Sequence, residues 1–88
     1  MSQMTWEEWV EENPLKKWMQ ENEVTQVALA LQLKRSPYTI HMWSRGIIPD
    51  TQNATWFWGE MIKLTGDNAI EERWRRWERT QPKLPGAR

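Results

Sequence analysis

Between Thr25 and Gly46 the chain carries two complete helix signals separated by three residues, and this spacing constrains the fold more than any other feature. Thr25 is a cap residue, and the stretch from Gln26 to Leu33 that follows holds Val27, Ala28, Leu29, Ala30, Leu31 and Leu33, apolar nearly all round. Such a helix is expected to be central or to cross a neighbour very closely. Ser36 followed by Pro37 opens the second helix, predicted over 37–44. Serine accepts from the orphan amides of a first turn, and proline at the first helical position has no amide to leave unpaired. Gly46 stops this helix and Pro49 enforces the stop. Helices joined so tightly must cross, and the crossing needs a small side chain. Ala30 supplies it, while Leu29, Leu33, Ile40 and Trp43 stand where they can close the wedge. This is the outline of a helix-turn-helix.

The rest of the chain is punctuated in the same way. Thr5 and Glu8 form a capping box for a first short helix with Trp6, Trp9 and Val10 on its apolar side. Asn13 and Pro14 open a helix over about 14–22, with Leu15, Trp18 and Met19 on one face. Thr51 to Leu64 reads as a further helix interrupted by Gly59, a residue expected to permit a close backbone contact or a kink. Asp67 is the predicted cap of a last helix through about 79, on which Ile70, Trp74 and Trp77 share a face. No alternating polar and β-branched run argues for a sheet. The expected fold class is therefore all-α: a compact domain of about five helices (four to six) over residues 1–80, with 81–88 read as a disordered tail.

An 88-residue chain builds one thin core. Eight tryptophans, at 6, 9, 18, 43, 56, 58, 74 and 77, are available to fill it. Most are expected inside. The surplus is expected at an interface, with Trp56, Trp58, Trp74 and Trp77 the candidates for homodimer or protein-partner contact. The absence of cysteine excludes disulfides and thiol chemistry. No apolar run is long enough to cross a bilayer, and the N-terminus lacks the order of a signal peptide, so a soluble cytoplasmic protein is expected. His41 stands alone, without a nucleophile or carboxylate pattern, and the paired glutamates read as solvated faces. No enzymatic activity, metal or cofactor is expected.

Formal charge sums to zero but is unevenly spread. Residues 1–12 carry Glu7, Glu8, Glu11 and Glu12 and nothing basic. Lys16, Lys17, Lys34, Arg35 and Arg45 outnumber Glu21 and Glu23 over 13–46, and Arg73, Arg75, Arg76 and Arg79 cluster on the last helix. A zero total can hide a basic face suited to phosphate. The acidic N-terminal helix is a candidate shield for that face, and the arginine-rich last helix a candidate phosphate-binding arm or protein interface.

The segment also resembles the Cro/CI-type (XRE) helix-turn-helix repressors. Gln26, Leu29, Ala30, Leu33, Ser36, Thr39, Ile40, Trp43, Arg45 and Gly46 stand in that family's register without a gap, and Pro49 follows. Ile47-Ile48-Pro49 and Leu64-Thr65-Gly66 are similar, more weakly, to small phage-type Cro-like members. The resemblance implies a lambda-repressor-like fold and a transcriptional regulator binding double-stranded DNA at an operator, as a homodimer in a bacterial or phage-infected cytoplasm. Helix 37–44 would then enter the major groove. By position, Gln26 would anchor to phosphate, Pro37, Tyr38 and Met42 would reach base edges with His41 beside them, Ser36 would cap the reading helix, and Arg45 would touch backbone.

Five positions depart from the family pattern. Lys34 replaces the turn glycine, Arg35 the apolar residue after it, and Ala28 a glutamate of the first motif helix. Pro37 and Met42 offer no hydrogen bond to a base, so reading would fall to Tyr38, His41, Lys34 and Arg35, with apolar contacts to thymine and shape readout. The apolar cast of Pro37, Tyr38 and Met42 equally fits a protein-interaction module or an antitoxin-like partner-binding protein on the same fold.

Overall fold

Side-chain caps start four of the six helices. The computed structural model describes residues 4–49 and 54–82. Its six helices are α1 (Trp6–Glu11), α2 (Pro14–Glu21), α3 (Gln26–Leu33), α4 (Pro37–Ser44), α5 (Thr55–Thr65) and α6 (Ile70–Arg79), with no strand among the described residues. The capping box of α1 is closed in both directions, Glu8 N donating to Thr5 Oγ1 at 3.1 Å and Thr5 N to Glu8 Oε1 at 2.8 Å. Asn13 Oδ1 accepts from Leu15 N and Lys16 N at the start of α2. Thr25 and Ser36 each accept from the amide three residues on, Ala28 N and Thr39 N respectively.

Two late elements differ from expectation. Asp67 does not cap α6 directly: its Oδ1 accepts from Ala69 N at 2.9 Å, which closes a turn over Asn68 and Ala69 and delays the helix to Ile70. The predicted onset at Thr51 lies outside the described residues, as do residues 83–88 of the predicted tail; within the described part α5 begins at Thr55. It runs unbroken through Gly59, where an added Cβ would meet nothing within 4 Å. Gly59 therefore neither kinks the helix nor admits a close neighbour. Gly59→Ala is expected to stabilise the fold by roughly 0.5–1 kcal/mol, the helix-propensity difference. A thermal midpoint unchanged or lowered would contradict this.

The core is aromatic. Five tryptophans, Trp9, Trp43, Trp58, Trp74 and Trp77, are buried, Trp6 and Trp18 are half-buried, and Trp56 is exposed. Phe57 sits at the centre, meeting Trp43 and Trp58 edge-on at 4.9 Å and Trp74 at 5.7 Å. Leu15, Leu29, Ile40, Met61 and Ile70 are fully enclosed around this cluster. Trp9 and Trp77 stack at 4.0 Å with planes 4° apart, and each indole N–H donates to the other residue's backbone carbonyl, at 2.9 and 2.7 Å. That reciprocal pair fastens α1 to α6. It satisfies both polar tips inside an apolar setting, the condition under which a buried tryptophan stabilises.

The acidic helix α1 is thus fastened to the body of the fold, and two carboxylates at its C-terminal end also pair with α2: Glu11 with Lys16 at 2.9 Å and Glu12 with Lys17 at 3.2 Å. The Lys16 hydrogen bond, then that of Gln20, holds the Glu11 carboxyl below its usual range. A depressed folded-state value means this contact stabilises at neutral pH and fades as pH falls through that lowered value.

Candidate nucleic-acid interface

α3 and α4 cross as a helix-turn-helix, with Ala30 buried at the crossing and Leu29, Ile40 and Trp43 closing the wedge. The turn is made by Lys34, whose φ of 58° lies in the left-handed region, while Arg35 N donates to Ala30 O at 2.9 Å. Lysine thus occupies a conformation that favours glycine, at a cost of roughly 1 kcal/mol. Lys34→Gly is expected to raise the thermal midpoint by about 4–8 °C, the shift that such a gain produces in a small domain. A lowered midpoint would show that the lysine side chain stabilises the turn. Glu23 takes the same backbone conformation, φ 54°, at the turn before α3, a feature that no residue in the sequence advertised.

α4 packs on α2 and α3 through Ile40, Trp43 and Ser44. The opposite stripe, Tyr38, His41 and Arg45 at i, i+3 and i+7, faces solvent, with Pro37 exposed at its start. Tyr38 is 68% exposed. Met42 is half-buried, whereas Pro37 and Tyr38 are exposed, so its side chain is the least available of those assigned to base edges. Gln26, at the start of α3, reaches His41 across the crossing, Nε2 to Nδ1 at 3.4 Å. Ser36 spends its hydroxyl on Thr39, accepting from its amide and meeting its Oγ1 at 3.0 Å. Of the nine candidate contact residues, Pro37, Tyr38, His41 and Arg45 share the exposed side of α4, Gln26 reaches it through His41, and Lys34 and Ser36 are exposed just before its start.

Arg35 stands apart from them. Its guanidinium lies over the exposed ring of Trp56 at 4.7 Å and within 5.8 Å of Trp43, and pairs with Glu60 of α5 at 3.2 Å. The buried apolar contact expected at this position is replaced by an aromatic bed under a cation.

Charge is segregated around this face. No carboxylate occurs between Glu23 and Asp50. Lys16, Lys17, Arg35, Arg73, Arg75 and Arg76 each pair with an acid, whereas Lys34 and Arg45, at the two ends of α4, have no carboxylate partner among the described residues, as is also true of Lys63 on α5 and Arg79 at the end of α6. Three of the four arginines of α6 have nearby carboxylates, Arg73 with Asp67, Arg75 with Glu71 and Glu78, and Arg76 with Glu72, while Arg79 has no carboxylate partner among the described residues.

Three of the four tryptophans considered for a dimer interface are core residues. Trp58, Trp74 and Trp77 are buried, because α5 and α6 pack together through them, and only Trp56, 41% exposed, offers surface. α3 departs in the opposite sense. Its apolar circumference is not enclosed: Leu29 and Ala30 are buried, but Val27 and Leu31 face outward at 58% and 77% exposure. A helix packed on one side only leaves its outer residues in water whatever their chemistry.

Among the described residues no three His, Asp or Glu side chains stand close enough to hold a metal, and no helix is long and apolar enough to cross a membrane. Comparison with protein-family models, curated proteins and solved structures finds no match to this chain.

Proposed function

We propose that this protein is a sequence-specific, non-enzymatic regulator of transcription that binds double-stranded DNA in the cytoplasm, with α4 in the major groove. The observation that carries the reading is local charge: the two cations flanking α4 have no carboxylate partner among the described residues, and no acidic residue occurs in the sequence between Glu23 and Asp50. A helix end with free cations docks on backbone phosphates, and the side chains between them meet base edges. Tyr38 and His41 supply the hydrogen-bonding groups, Lys34, Arg45 and Gln26 the phosphate contacts, and Pro37 an apolar contact to thymine methyls. The register shared with Cro/CI-type repressors supports the same reading. Such a regulator binds a two-fold site as a homodimer, for which Trp56 is the available aromatic surface.

Binding to random duplex DNA across a salt series tests this, followed by selection from a random pool. Affinity should fall steeply with salt, and selection should return a palindromic site. Tyr38→Ala should relax specificity at one base position at a cost of about 1–3 kcal/mol, whereas Lys34→Gly should weaken all sequences alike and flatten the salt slope by about 1. Absence of salt-dependent duplex binding overturns the reading. A protein-interaction module, antitoxin-like or otherwise, is then favoured by the outward-facing Val27 and Leu31.

A further inference from the structure

Of the ion pairs among the described residues, those other than Arg35–Glu60 join α1 to α2 or lie on α6 and the turn leading into it. The Arg35–Glu60 pair alone reaches into the helix-turn-helix, and it ties up a cation one residue from the cap of α4. We infer that Glu60 is an internal substitute for a DNA phosphate: it holds Arg35 on the flank of the motif until the backbone of a duplex displaces it. This rests on the proposed reading of α4 as the DNA-binding helix.

Three features support an exchange over a permanent brace. Both side chains are open to water, 37% exposed for Arg35 and 29% for Glu60, and an exposed pair of this kind holds weakly. The guanidinium rests on the Trp56 ring, which itself faces solvent, so the flat cation stays supported while its anion changes. A phosphate offers the planar fork of arginine the same paired acceptor geometry as a carboxylate. Glu60 then lowers affinity, because free protein must release one internal anion for each phosphate that Arg35 gains, while the number of phosphates met, and with it the salt slope, stays the same.

The experiment is a four-protein cycle of wild type, Glu60→Gln, Arg35→Gln and the double variant, titrated against a random-sequence duplex from 50 to 300 mM NaCl. Glutamine keeps the size of each side chain, and thermal melts check that all four fold. Glu60→Gln is expected to bind roughly threefold tighter at 50 mM NaCl with a log–log salt slope close to wild type, because Arg35 meets the same phosphate in both proteins, whereas Arg35→Gln should flatten the slope by about 0.9, the contribution of one phosphate contact. The tightening should vanish when Arg35 is already glutamine. A Glu60→Gln affinity equal to wild type, or an Arg35→Gln slope equal to wild type, overturns the inference while leaving DNA binding intact. So does a tightening that persists without Arg35, which would place the effect in bulk charge alone. If none of the four binds duplex DNA, the functional reading fails and the inference with it.

Discussion

Trp77→Ala is expected to remove about 3–5 kcal/mol of folding stability, the range for deleting a large buried aromatic. Three losses coincide at this residue. The face-to-face contact with Trp9 disappears, the Trp9 carbonyl loses the indole N–H that it accepts at 2.7 Å, and Trp74 loses an edge-on neighbour at 6.0 Å. A domain of this size has a total stability of roughly 5–10 kcal/mol, so the variant should unfold near or below body temperature. Trp77→Phe separates the terms. It keeps a ring in the stack and removes the hydrogen bond, and should cost roughly 1–3 kcal/mol. Urea titration followed by far-ultraviolet circular dichroism reads both. A Trp77→Ala midpoint close to wild type would mean that the stacked pair does not hold α1 in place.

Gly46→Ala is the second large effect, expected at about 2–4 kcal/mol from left-handed strain and overpacking together. Gly46 has a φ of +94°, and a Cβ there would lie 2.8 Å from Trp77 Cη2 and 2.9 Å from Cζ3. The ring cannot retreat, because Trp9 is stacked against it at 4.0 Å. The two contributions separate in a cycle with Trp77→Phe, whose shorter ring lacks both clashing atoms. In that background Gly46→Ala should cost only the backbone strain, roughly 1–2 kcal/mol. Equal costs in the two backgrounds would assign the whole requirement to backbone conformation. Gly46 therefore links the end of α4 to the α1–α6 clamp, so the pose of α4 and the stability of the core are set at one point.

The candidate site was legible where its signals are local. Gln26, Ser36, Pro37, Tyr38 and His41 lie on one face because α3 and α4 begin and end where their caps and prolines direct. Met42 and Arg35 were less legible. Met42 is two residues from both Ile40 and Ser44, which point inward, and the rotation of α4 against α2 decides how much of it stays outside. Arg35 required the knowledge that Glu60, 25 residues on, and Trp56 stand beside the turn. The departure from a buried apolar residue was visible in the sequence; the partner that replaces burial was not.

The sequence by itself determined the first four helices, because a cap, a first-turn proline or a stop glycine acts through local contacts within a few residues, whereas α5 and α6 start on Ala54 and Ala69 without a side-chain cap. Thr5, Asn13, Thr25 and Ser36 all perform the capping roles their positions imply. Tertiary structure decided which apolar residues are enclosed. Val27 and Leu31 are as apolar as Leu29, yet they face water because α3 is covered on one side only. Trp58, Trp74 and Trp77 suit an interface by composition, and they are instead the interior, where Trp77 is held by a mutual hydrogen-bonded stack with Trp9, 68 positions away. Apolar burial has no direction along the chain, so the same side chain is core or surface according to what folds against it.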